Sequence, residues 1–244
     1  MRAIVLRLDA PMLSFGTVLV DRHGFTDRFP GTAMLTGLLA NALGWHHSDV
    51  NRLQDLQDRI QFAARWDVRP EPMVDYHTVD LGQPKMALPG WTTRGEPEHR
   101  AGGPSARFGT HQRLRHYWVD GLMTLVFTVS SGEPDLDTIL KALRKPARPL
   151  FLGRKACLPG RPLLDPKTPV VEGDDLLAIL EQVPTWNRGG AEVPAGPREA
   201  CWPAGLASGG RGEVRRVFDL RDWASGLPAG SRLRAEGLIG EASL

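Results

Sequence analysis

Leu114-Arg115-His116-Tyr117-Trp118-Val119-Asp120-Gly121-Leu122-Met123-Thr124-Leu125-Val126-Phe127-Thr128-Val129 is two apolar runs parted by Asp-Gly. Both runs have strand length and strand composition, and Asp-Gly is a strong signal for a tight hairpin turn. Upstream, Ile60 to Asp67 and Asp75 to Val79 alternate as strands, and Ala3 to Leu8 opens the chain as another. Met34, Leu35, Leu38, Leu39 and Leu43 recur at helical spacing before Gly44, with Thr32 as the expected N-cap. Asn51 to Arg59 is a second amphipathic helix, with Leu53 and Leu56 on one face. Downstream, Asp135 to Leu143 reads as a helix and Leu150 to Leu152 as a short buried strand. The order strand, helix, strand, strand, strand, helix, strand predicts an α+β fold with a ferredoxin-like sheet.

Between the Asp75 strand and this hairpin lies a long stretch without periodicity. Residues 81–113 are rich in Gly, Pro, Arg and His, and a loop this long inside a domain is usually functional or disordered. From Leu81 to His116 there are six Lys or Arg against two acids, with three histidines added. That is a local basic segment in a chain whose net charge is only +2, the pattern of a phosphate-facing surface. The reading therefore divides the chain into residues 1–80 and 114–165 as the ferredoxin-like domain, 81–113 as a basic insertion, and 166–244 as a smaller, β-rich C-terminal region. In the last, Asp174 to Leu180 reads as a short helix, and Arg198 to Trp202 and Glu213 to Leu220 as strands.

The two cysteines, Cys157 and Cys201, lie far apart without metal-ligand spacing, which argues against a disulfide framework or a zinc site and for a cytoplasmic location. No P-loop, Gly-x-Ser-x-Gly elbow or dense carboxylate cluster occurs, so nucleotide hydrolysis and two-metal nuclease chemistry are not indicated. No cofactor is implied.

Three short stretches carry binding chemistry. Phe151-Leu152-Gly153-Arg154-Lys155 ends an apolar run in a glycine turn, with two cations beside freed N–H groups, which is a recipe for holding phosphate oxygens. Pro11-Met12-Leu13-Ser14-Phe15-Gly16 offers Ser14 and the Gly16 backbone for close approach, with Phe15 as a stacking surface. Arg28-Phe29-Pro30-Gly31-Thr32 leads into a helix whose N-terminal N–H groups form an anion site. Each also has a plain structural reading: a decorated strand end, a turn and an ordinary helix start. Arg113 and Arg115 share one strand face, suited to tracking a backbone, whereas Tyr76 and His77 point to opposite faces.

Taken in order, these blocks resemble the CasD family of type I-E CRISPR Cascade subunits, within the RAMP superfamily of RRM-like proteins. The similarity runs from about residue 2 to 165. It rests on the opening strand, Pro11 to Gly16, Asp27 to Thr32, Leu35 to Gly44, Ile60 to Arg65, Asp75 to Val79, His116 to Asp120 and Pro149 to Cys157. The resemblance implies an RRM-like domain with a thumb hairpin inserted at residues 81–113. It implies a non-enzymatic, RNA-binding subunit of an antiviral ribonucleoprotein complex. Such a subunit holds the 5′ handle of the CRISPR RNA, caps the backbone filament and meets the large subunit, so target DNA is engaged only through the complex. The expected RNA contacts are Ser14, Gly16, Arg28, Thr32, Arg107, Arg113, Arg115, Gly153, Arg154 and Lys155. Type I-C relatives cleave repeat RNA without metal, which leaves an endoribonuclease alternative with His116 or His77 as acid or base and Tyr76 or Tyr117 assisting.

Overall fold

Alternation along the first strand divides the core in two. Ile4, Leu6 and Leu8 face one buried cluster, whereas Ala3 and Val5 face another. The computed structural model describes residues 1–17, 22–80, 90–91, 97–98, 110–186, 188, 196–206 and 212–240. The chain opens with β1 (Arg2–Asp9), β2 (Met12–Leu13), β3 (Phe15–Gly16), β4 (His23–Gly24) and β5 (Thr26–Asp27). Helices α1 (Thr32–Leu43) and α2 (Val50–Arg59) follow, then β6 (Ile60–Val68), β7 (Glu71–Asp80), β8 (Gly90–Trp91) and β9 (Pro97–Glu98). After β10 (Thr110–Val119) and β11 (Leu122–Val129) come α3 (Leu136–Arg144), β12 (Val170–Glu172) and α4 (Leu176–Gln182). The chain closes with β13 (Arg198–Pro203), β14 (Gly212–Val217) and β15 (Arg232–Ile239).

Among the described residues, the main sheet has seven strands in the order β12-β1-β11-β6-β13-β15-β14. Its first four are the antiparallel ferredoxin-like set, with β11 threaded between β1 and β6. Helices α1, α2 and α3 pack on the face carrying Leu6, Phe62 and Leu125. The segment beyond residue 165 does not stand apart from this sheet. β12 forms one edge, and β13 pairs with β6 to extend the other.

Two expectations change here. The Asp120-Gly121 turn does not close a hairpin, because both flanks of β11 are taken by β1 and β6 and β10 belongs to a second sheet. Asp120 takes the turn with φ 58 and carries the chain from one sheet to the other. Leu150 to Leu152 is not a strand either. Leu152 is buried within an irregular turn whose N–H donates to the Cys157 carbonyl at 2.8 Å, and the strand closing the ferredoxin-like set is β12.

The second sheet is built on β10, which pairs with β2, with β4 and, over ten residues, with β7. The base of the insertion is thus a true antiparallel hairpin from Glu71–Asp80 to Thr110–Val119. Arg107 and most of residues 81–113 lie outside the described residues. Among the described residues, no helix is long and apolar enough to cross a membrane.

The far face of the main sheet is covered by α4, through Leu176, Leu177, Ile179 and Leu180 against Ala3, Val5, Ala63 and Val126. Beside them, Arg7, Thr124 and Arg65 stand in one row across β1, β11 and β6. Arg7 Nε donates to Asp165 at 2.7 Å and Arg65 Nε to Asp67 at 2.7 Å, so two cations and two carboxylates balance in a site with almost no exposure. Asp165 is held below the usual aspartate range. Burial pushes its pKa up, but the Thr168 N–H, Arg7 and the Lys167 N–H together outweigh that. A carboxylate with a depressed pKa stabilises the fold above its unfolded value, and that stability is lost as the pH falls through its folded value. Asp165→Asn leaves an excess buried cation and is expected to cost about 3 kcal/mol in urea unfolding at neutral pH. The gap between wild type and variant should narrow below about pH 4.

Candidate nucleic-acid interface

The glycine turn singled out in the sequence approaches the Ser14 segment. Gly153 takes φ 101, and a Cβ there would lie 1.6 Å from the Ser14 carbonyl oxygen, so the turn admits no side chain unless the backbone moves. Ser14 in turn donates its N–H to the Leu152 carbonyl at 3.1 Å. Two of the stretches picked out from the sequence are therefore one structural unit.

Arg154 is a clamp within the fold. Its Nη1 donates to the His116 carbonyl at 2.8 Å and its Nη2 to the Gly24 carbonyl at 2.7 Å, with the guanidinium 4.8 Å above the buried Tyr117 ring. Carbonyl acceptors thus hold the donors that were expected to meet phosphate, whereas Lys155 is exposed on the same turn. Phe15, expected as a stacking surface, is buried against Trp66.

The start of α1 is also occupied from within. Gly31, not Thr32, is the N-cap residue. The Thr32 N–H donates to Asp219 Oδ2 at 3.0 Å and the Ala33 N–H to the Asp219 carbonyl at 3.0 Å. Arg232 neutralises that carboxylate at 2.8 Å. An internal acid holds the anion position foreseen for phosphate at Thr32, because the helix dipole favours whichever negative group the fold supplies. Arg28 is likewise turned inward, lying over Trp66 and Trp118 while its Nε donates to Glu199 at 2.6 Å.

Four expected residues nevertheless meet. Ser14, Gly16, Gly153 and Arg154 line one open cleft of about 390 Å³ with the start of α1 and with Phe218, Leu220 and Arg221. Its walls are largely apolar. Ser14 is buried and its Oγ has no hydrogen-bond partner among the described residues. Phe218 stands 65% exposed at the rim. The cleft can take a flat apolar group, and the exposed Thr17 stands on its lining, whereas the Ser14 Oγ is itself covered. The sequence reading passed over Phe218 and Arg221, whose signal was only an aromatic and a cation on either side of Asp219-Leu220.

Arg113 and Arg115 are exposed and share a face of β10, opposite His77 and Asp75 on β7. His116 points the other way, opposite Val74, and meets His23 with Nδ1 and Nε2 3.4 Å apart. Burial, and then His23 and Arg154, hold the His116 pKa below the ordinary histidine value. Tyr117 is buried beneath Arg154, and His77 is hydrogen-bonded to Asp75.

The sequence model of the CRISPR-associated protein (Cas_Cas5) family matches residues 3–233. The chain is 31% identical over 169 residues to the Escherichia coli (strain K12) protein named CRISPR system Cascade subunit CasD, covering 66% of this chain and 68% of that one. A solved structure described as a CRISPR RNA-guided surveillance complex superposes with a TM-score of 0.63 at 25% identity, over 98% of this chain and 89% of its own. A second, described as a Cas protein, shares the fold with a TM-score of 0.62 at 21% identity, over 98% and 94% of the two chains. The match spans the ferredoxin-like strands, the second sheet and most of the C-terminal strands alike, and the chain belongs to the CRISPR-associated Cas5 family.

Proposed function

We propose that this chain is an RNA-holding, non-catalytic subunit of a Cascade-type CRISPR interference complex. It grips the repeat-derived 5′ handle of the CRISPR RNA, caps the backbone filament and contacts the large subunit. The observation that carries the reading is the convergence of Ser14, Gly16 and Gly153 on one open, base-sized cleft flanked by exposed Phe218. Lys155 on the adjoining turn and Arg113 and Arg115 on the hairpin supply cations for the strand on either side. Family membership and the names of the relatives agree with a place in such a complex.

The non-catalytic half of the reading has its own support. Attack by a 2′-hydroxyl needs a base within reach and a stabiliser for the charged phosphorane. His116 and Arg115 sit on opposite faces of β10, and Tyr117 is buried with its ring under Arg154.

Full-length protein is expected to bind repeat RNA from its own array with a steep salt dependence. In Lys155→Ala with Arg115→Ala, the slope of log affinity against log salt should fall by roughly 0.7 for each phosphate that is no longer neutralised. An unchanged slope would remove these cations from the interface. No cleavage of the same RNA is expected in EDTA over hours. A single cut that disappears in His116→Ala would place the protein among the processing enzymes instead.

A further inference from the structure

The sheet face on which an RRM ordinarily stacks bases is buried here under α4. The second sheet has an open face of the same character. Tyr76 and Val74 on β7 sit opposite Leu114 and His116 on β10, and His23 on β4 pairs with Leu114 from the other side. Tyr76 is 54% exposed and Phe25, just beyond β4, is 40% exposed. The Phe25 ring lies nearly parallel to His23 at 5.3 Å and 4.7 Å from His116. Three rings thus form one contiguous patch, with Tyr76 on the same side of the sheet.

We propose that this patch of Phe25, His23, His116 and Tyr76 is a base-stacking platform for single-stranded RNA leaving the cleft. It rests on the RNA-holding reading above and assigns that strand a second set of contacts. Stacking on exposed rings is tolerant of sequence, because every base has a π-face. Arg22 is exposed beside β4, Arg154 holds the carbonyls of His116 and Gly24, and the acid Asp75 lies on the other face of the hairpin, tied to His77. That charge balance suits a polyanion better than an apolar protein surface. The patch is also continuous with the cleft. Arg154 lines the cleft while its Nη groups hold the carbonyls of His116 and Gly24, so one guanidinium fixes both surfaces relative to each other. Burial, and then His23 and Arg154, hold the His116 pKa below the ordinary histidine value, which favours the neutral ring.

The test uses the full chain and a labelled single-stranded RNA of about ten nucleotides, with a second copy carrying abasic sites. Phe25→Ala and Tyr76→Ala should each weaken binding of the intact RNA roughly tenfold, with the salt slope of the wild type retained. Tyr76→Phe should bind like the wild type, and on the abasic RNA all the variants should bind alike. If the wild type binds and both alanine variants bind equally well, the platform is wrong and the cleft reading stands. If the alanine variants keep RNA affinity but lose association with another subunit, the face is a protein interface and the proposal falls. If the wild type binds neither RNA, the RNA-holding reading falls and takes the platform with it.

Discussion

Two arginines and two aspartates buried on the far side of the main sheet decide what the rest of the molecule can do. Arg7 and Arg65 reach past the sheet to the chain that covers it. Arg65 donates to the Leu180 and Val183 carbonyls, both at 2.7 Å, and Arg7 to the Pro184 carbonyl at 2.9 Å. Those carbonyls lie at and just beyond the C-terminal end of α4, which carries the negative pole of the helix dipole. Asp67 completes the arrangement by accepting from Arg7, Arg65 and the Trp186 N–H. Apolar contact from Leu176, Leu177, Ile179 and Leu180 supplies the stabilisation, and the charges fix where α4 and the segment after it sit.

That placement removes the sheet face from the solvent, and chemistry that needs exposed surface has to lie elsewhere. The C-terminal chain then extends the main sheet beyond β6 as β13, β15 and β14. Between β14 and β15 it delivers Asp219 to the start of α1 and Phe218 to the rim of the cleft. The cleft is therefore a joint product of the Ser14 to Gly16 segment, the start of α1 and the Gly153 turn with the segment between β14 and β15. The clamp at Arg154 ties this region to the second sheet, so the hairpin, the cleft and the covered face are consequences of one chain path.

Local patterns in the sequence revealed most of the longer strands and the helices but not their partners, and they left β12 and β15 unread. Ala3 to Leu8 and Ile60 to Asp67 are strands as expected but are buried on both faces, whereas the helical spacing of Leu35, Leu38 and Leu39 reflects burial of one side of α1. The glycine turn at Gly153 was legible as a close backbone approach, but not what it approached. Thr32 looked free to bind an anion because its partner, Asp219, lies 187 residues away and no local signal announces it. Arg28 and Arg154 looked like phosphate ligands for the same reason: a cation's partners are set by tertiary contacts. The Leu150 run was apolar because Leu152 is buried in a turn, and buried turns and short buried strands look alike at that length. His23 and Phe25 lie in a polar stretch with no periodicity, and only the pairing of β4 with β10 makes them neighbours of His116.

The central claim is that RNA runs over the cleft and the second sheet, while the far face of the main sheet is closed by the chain itself. Photocrosslinking of 4-thiouridine repeat RNA to the full-length protein, followed by peptide mapping, tests it directly. Adducts are expected on the peptides holding Phe25, Tyr76, Lys155 and Phe218. Adducts concentrated on α4, or on the Arg7 and Arg65 strands from the side it covers, would contradict the account.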